Sequence, residues 1–330
     1  MCTGWIISLL GVVWVSRWIY IQDKNNFNAA KNYDEVVIKY QGKIFYDVAL
    51  FGKPTLRLLN SSTVVAISGG LRLHIAFLLA GIAVSIPEYC AGALIIYSTY
   101  TLDRALECKE DQINKSELCG ADKKTGLIAC VLSFLIGAFL LARDGIYFAP
   151  FFPFVVGYLY THGVRIGPYT LKLKGSMGVK NIVIGITWGG TIALIVSRWC
   201  SSVVTVGIIF LFFAMKIFVT SCVNDFKDVR GDAAAGIRTL PACLGENATK
   251  KVLILVLLGL HSVMLYALFA GIIGDEWFIL LFGLVLTIAF LMVYSSSFEH
   301  KSQIYYRKLR EFVISWEYVF SLALRACIPV

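Results

Sequence analysis

The sequence predicts an all-α, polytopic membrane helical bundle of about nine transmembrane helices, arranged as two four-helix pseudo-repeats plus a last helix, with an extra N-terminal hydrophobic helix. Three observations predict it. Of 330 residues, 58% are hydrophobic and 15% charged, against roughly a quarter charged in an average soluble domain. The mean hydropathy is +0.74. The apolar residues also gather into runs of about 18 to 25, the length that crosses a hydrocarbon core of ~30 Å as helix.

In chain order, the first apolar run covers residues 1–20 and lacks a basic leading segment and a small-residue cleavage site, so it reads as a retained helix. A polar segment follows to residue 60, and the membrane domain is expected over 61–330. Within it, runs bounded by charge, Gly or Pro predict helices near 64–86, 88–107, 124–142, 146–162, 181–197, 201–224, 252–273, 277–296 and 311–328. Arg72 and His74 interrupt the first of these.

Alternating the connections across a bilayer sorts the basic residues. The loops on one side carry 24 of the 30 Lys and Arg, whereas the opposite turns hold Arg143 and Arg198. The positive-inside rule therefore places the long loops in the cytoplasm of a multi-pass protein, with the cell membrane as the expected location. The net charge of +9 is explained by this sorting. No basic stripe is interleaved with stacking aromatics, which argues against a nucleic-acid partner. The nine cysteines are odd in number and never spaced as C-x-x-C, so neither a disulfide framework nor a zinc site is signalled.

The chemistry concentrates at two helix ends. Directly after the apolar run ending at Val223 comes Asn224-Asp225-Phe226-Lys227-Asp228-Val229-Arg230-Gly231-Asp232. On a helix, 224, 228 and 232 share one face with Asp225 beside them. Crowded carboxylates at a helix C-terminus are unfavourable, because like charges repel and the helix dipole opposes anions there. Lys227 and Arg230 point to other faces, so a hard divalent ion is the natural compensation. Mg2+ characteristically binds a few carboxylates together with substrate phosphate. A second row, Asp103, Glu107 and Asp111, ends the 88–107 run with the same spacing and is followed by Asn114. Each row ends the second helix of a four-helix group, and a tandem repeat would bring both to one cavity mouth.

The segment NDFKDVRGDAAAGIRTLP resembles the second aspartate-rich motif of the UbiA superfamily of membrane prenyltransferases, including the trailing Gly236-Ile237-Arg238-Thr239-Leu240-Pro241. The segment YTHGVRIGPYTLKLKGSMGVKN, with Tyr160, Arg165, Lys172, Lys174, Lys180 and Asn181, is similar to the Tyr/Pro/Lys-rich loop and following Asn of the same superfamily. The first row departs from the family pattern: Asp103 stands where Asn is usual, Arg104 replaces the first Asp and Glu107 the middle one.

The resemblance implies Mg2+-assisted ionisation of an isoprenoid diphosphate donor and attack on the resulting carbocation by a lipophilic acceptor, aromatic or lipid, within membrane lipid. It implies metal ligation by Asp103, Glu107, Asp111, Asn224, Asp225, Asp228 and Asp232, with Asp111, Asp228 and Asp232 as the catalytic carboxylates. Arg165, Lys172, Lys174, Lys227 and Arg238 would bind diphosphate, with Lys180 as a further candidate. Two other classes remain open. A terpene cyclase would let the substrate's own alkene attack, and a transporter would carry a cation on the buried acids, although transport acids usually lie at the bilayer midplane beside broken helices.

Overall fold

The computed structural model describes residues 54–83, 86–106, 121–156, 164–166, 169–171, 178–234, 238–294, 309–310 and 312–327. The expected 1–20 helix, the polar segment up to residue 53, Glu107, Asp111, Lys172 and Lys174 lie outside these residues.

The first helix, α1, spans Pro54–Leu79 and starts ten residues earlier than expected. Proline fits a first helical position, where its missing N–H costs nothing. Arg72 and His74 do not break α1, because each has a partner across the bundle. The Arg72 guanidinium lies 4.9 Å over the Tyr318 ring and His74 Nδ1 is 2.9 Å from the Tyr89 hydroxyl. Helix α2, Ile86–Ala105, stops just after Asp103 and Arg104. Helix α3, Lys123–Arg143, begins at Asp122, whose carboxylate accepts from the Lys124 N–H. The Asp122 N–H in turn donates to Thr55 Oγ1 at 2.8 Å, which ties the starts of α1 and α3 together.

Within the loop expected over 163–180 the chain forms a small antiparallel hairpin, β1 Val164–Ile166 and β2 Tyr169–Leu171, with Arg165 opposite Thr170. Helices α4, Val179–Val196, and α5, Val203–Ala234, follow. After the short α6, Leu240–Leu244, come α7, Glu246–Phe269, and α8, Trp277–Val293. A π-helical turn over Phe312–Trp316 leads into α9, Glu317–Cys327. Among the described residues, α1, α3, α4, α5 and α7 are long and apolar enough to cross a membrane, and α8 is a shorter apolar helix.

Two groups result, α1–α3 and α4–α8, joined where α1 meets α4 and closed where α9 packs on both α8 and α1. The tightest pairing is α4 on α5. Its basis is the Gly185-x-x-x-Gly189 spacing, since a Cβ at Gly185 would fall 2.4 Å from the Ala214 carbonyl oxygen and one at Gly189 would fall 2.6 Å from the Ala214 nitrogen. Small residues at this spacing let membrane helices approach to backbone contact. The outer faces are apolar: Ile128, Leu135 and Phe139 on α3 and Leu255 and Tyr266 on α7 are exposed, as helices bathed in lipid require.

The interior is not uniformly apolar. Lys216 of α5 is buried, and its ammonium lies 2.9 Å from Glu317 Oε1 of α9. It also donates to the Gly283 carbonyl at 3.1 Å and Thr287 Oγ1 at 2.9 Å, both on α8. At the far end of α9, Arg325 forks onto Glu276 with two bonds of 2.5 Å.

Candidate metal and diphosphate site

The second acidic row is carried on one continuous helix, because α5 runs on past its apolar stretch to Ala234. Asp225 and Asp232 lie two turns apart on a shared face and are each only 2% exposed. Between them sits Lys180 of α4, with Nζ 2.8 Å from Asp225 Oδ1 and 3.4 Å from Asp232 Oδ2. The compensating charge read from the sequence as a divalent ion is thus supplied in the described structure by an ammonium from the neighbouring helix.

The position of Lys180 is fixed by the local chain. Gly178 caps α4 with φ of 72°, a left-handed conformation that favours glycine. Its N–H donates to the Arg238 carbonyl at 3.2 Å, holding the start of α4 against the segment that follows the acidic row. Next to Lys180, the fully buried Asn181 donates through Nδ2 to Asp225 Oδ2 at 2.7 Å and to Ser221 Oγ at 3.0 Å. Both oxygens of Asp225 are therefore engaged. The Asn181 Oδ1 atom is buried without a hydrogen-bond partner.

The other residues of the row face different neighbours. Asn224 Oδ1 accepts from Arg310 Nη1 at 3.0 Å, which brings in the chain just before α9. Asp228 is half-buried, and the exposed Lys227 lies 3.8 Å from its Oδ1. Burial raises the Asp232 carboxyl from its ordinary 3.8 to about 6; Lys180 opposes this rise, and the charges of Asp225 and Asp228 add to it. Asp225 and Asp232, the two buried acids, thus share the ammonium of Lys180, and Asp228 pairs with Lys227.

At the first row, Asp103 is exposed on the last turn of α2. Arg104 turns toward α1, donating to Ser62 Oγ at 3.1 Å and to the Tyr100 carbonyl at 3.2 Å. Arg165 occupies a central hairpin position and Arg238 is exposed beside the start of α6. Among the described residues the structure brings together Asn224, Asp225, Asp232, Lys180, Asn181 and Arg310. No three His, Cys, Asp or Glu residues among them are grouped so as to hold a metal ion.

A cation could still be held here, because the donors are oxygens alone, as hard Mg2+ prefers. Asp225, Asp228, Asp232 and Asn181 Oδ1 supply such oxygens, those of Asp225 being engaged by Lys180 and Asn181. Sequence reasoning missed two contributors. Arg310 and Ser221 left no signal, since their partners, Asn224 and Asn181, lie 86 and 40 residues away. Away from the site, Lys216 and Glu317 did leave a signal, as lone charges inside apolar windows, which call for each other.

Long helices with apolar outer faces define a multi-pass membrane protein. The chain belongs to the UbiA prenyltransferase family, whose model matches residues 59–312. It is 26% identical over 167 residues to the digeranylgeranylglyceryl phosphate synthase of Halobacterium salinarum, a match covering 50% of this chain and 58% of that protein. The chain thus spans little more than half the length of the curated relatives it matches.

Two solved structures share the fold. One is the apo structure of a UbiA homologue from Aeropyrum pernix K1, at TM-score 0.54 and 10% identity, covering 82% of this chain and 99% of that one. The other is a UbiA homologue from Archaeoglobus fulgidus bound to GPP and Mg2+, at TM-score 0.52 and 13% identity, covering 84% and 100%.

Proposed function

We propose that the chain is a Mg2+-dependent intramembrane prenyltransferase that moves a prenyl group from an isoprenoid diphosphate to a lipophilic acceptor, aromatic or lipid. The observation that carries this reading is the row of carboxylates on the end of α5, where two buried acids share the ammonium of Lys180. Membership of the UbiA prenyltransferase family supports it. The Archaeoglobus relative binds GPP with Mg2+, and the Halobacterium relative is a synthase of a prenylated glyceryl phosphate; both lend the reading their chemistry.

In this reading Asp225, Asp228 and Asp232 with Asn224 hold one side of the metal site, and Asp103, Glu107 and Asp111 hold the other. Asp111, Asp228 and Asp232 are the catalytic carboxylates. Bound Mg2+ would supply Lewis-acid stabilisation of the charge that develops on the leaving diphosphate. Arg165, Lys172, Lys174, Lys227 and Arg238 bind the remaining phosphate oxygens, arginine as a planar fork and lysine as a point charge. Asn181 orients Asp225 through its 2.7 Å bond. The apolar bundle keeps water from the prenyl cation. The long polar loops lie in the cytoplasm and the protein resides in the cell membrane, as the distribution of basic residues supports.

One observation favours a second reading. Arg104 stands in the first row, where the family pattern has an Asp, and donates to Ser62 of α1, so this row departs from the usual pattern. A cyclase would use the same ionisation and need no acceptor. Incubation with isoprenoid diphosphates alone, followed by analysis for hydrocarbons or alcohols, separates the two. For the leading reading, Asp228→Ala is expected to lower transfer by about a hundredfold or more while the melting temperature stays near wild type. Unchanged transfer in this variant would remove Asp228 from the site.

A further inference from the structure

The place between Asp225 and Asp232 is already taken. Lys180 Nζ touches one oxygen of each carboxylate, and Asn181 fills the remaining oxygen of Asp225. These are the two most deeply buried acids of the row. A divalent ion that bridged them would have to enter at the ammonium, since like charges cannot share that gap. Lysine is suited to leave: it carries a compact point charge on a flexible four-carbon stem, and the Lys180 side chain is 20% exposed, so it has solvent to move into.

We propose that Lys180 is a built-in counter-ion of the acidic row: it holds Asp225 and Asp232 together in the metal-free protein and competes with the divalent cation for them. The inference rests on the metal reading of this row and adds a residue that positions the carboxylates rather than touching substrate. Without Lys180 the row has uncompensated, buried negative charge, which costs stability until a cation arrives. With Lys180 the empty site keeps its shape, and metal affinity is set lower than three carboxylates alone would give.

The test uses the full-length protein in detergent, with Mn2+ titrated alone and free Mn2+ read by electron paramagnetic resonance, alongside thermal melts in EDTA and in Mg2+. Lys180→Met is expected to bind Mn2+ at least about tenfold more tightly than wild type and to melt lower in EDTA, with the loss recovered by Mg2+. Lys180→Arg, which keeps the charge, is expected to stay near wild type in both. If Lys180→Met proves too unstable to purify without metal, the double variant Lys180→Met with Asp232→Asn removes the surplus charge and is expected to recover the melting temperature in EDTA. Lys180→Met that binds Mn2+ no more tightly than wild type, or a double variant that stays unstable, overturns the inference alone. Absence of Mn2+ binding in both wild type and Lys180→Met overturns the metal reading and the inference with it.

Discussion

Lys216 and Lys180 both rest on carboxylates, and the two constellations differ in how many carboxylates share the ammonium. Lys216 has a single carboxylate, Glu317, and its other two N–H groups reach Thr287 Oγ1 and the Gly283 carbonyl. An ammonium has three donors, so every proton of Lys216 is placed. Lys180 instead divides itself between Asp225 and Asp232, with Asp228 three residues from one and four from the other. The first group pins α5, α8 and α9 to one another. The second, at a helix end, is the one proposed above to exchange its ammonium for a divalent cation. Both are a lysine on an acid, yet the first is read as architecture and the second as a site.

The sharpest way to break that contrast is Lys216→Met, which strands Glu317 in the bundle. Removing one partner of a buried pair costs about 3–5 kcal/mol, so the melting temperature in detergent should fall steeply and Mg2+ should not restore it. Replacing both Lys216 and Glu317 by Met should return most of the loss, because no charge is left uncompensated. Rescue of the single variant by Mg2+ would instead place this pair in the metal site.

Gly189→Ala is expected to have a smaller effect. Its Cβ would meet the backbone of Ala214 at 2.6 Å, and overpacking of this kind costs about 1–3 kcal/mol. Because α4 carries Lys180, prising it from α5 should also change Mn2+ affinity, whereas the Lys216 pair, which does not involve α4, should be indifferent. Thermal melts and a Mn2+ titration of the same preparation check both halves.

Lys227→Gln should have the least effect on stability. Its 3.8 Å pairing with Asp228 is exposed, and such pairs contribute about 0.2–1 kcal/mol. If Lys227 binds diphosphate as proposed, KM for the donor should rise severalfold while kcat holds; an unchanged KM would take it off the ligand set.

Much of the fold was legible because long apolar runs leave little choice. The expected 181–197, 201–224 and 277–296 segments correspond closely to the starts of α4, α5 and α8. The early start of α1 was not legible. Ser61, Ser62 and Thr63 look like a polar loop, but each hydroxyl bonds back to a carbonyl of Leu58 or Leu59, so the helix satisfies them internally. The hairpin was signalled only by Gly167-Pro168, a turn pair between two three-residue strands.

Of the candidate site, α5 does carry the 224–232 row on one helix, but Asp232 joins Asp225 around Lys180 while Asn224 and Asp228 meet other neighbours. The role of Lys180 did not follow, because its partners lie 45 and 52 residues away and local periodicity says nothing about which helix packs alongside. A basic residue at the end of a lysine-rich loop reads as a phosphate ligand until the packing of α4 on α5 turns it toward the acids.

Release of diphosphate is the reaction at the centre of this account, and it can be followed directly. The full-length protein, reconstituted in lipid vesicles, is given a series of labelled isoprenoid diphosphates with and without Mg2+. The expected result is Mg2+-dependent release of diphosphate with label passing to a lipid-soluble product, abolished by EDTA and by Asp228→Ala. Release that persists in EDTA or in that variant, or no release from any donor, would contradict it.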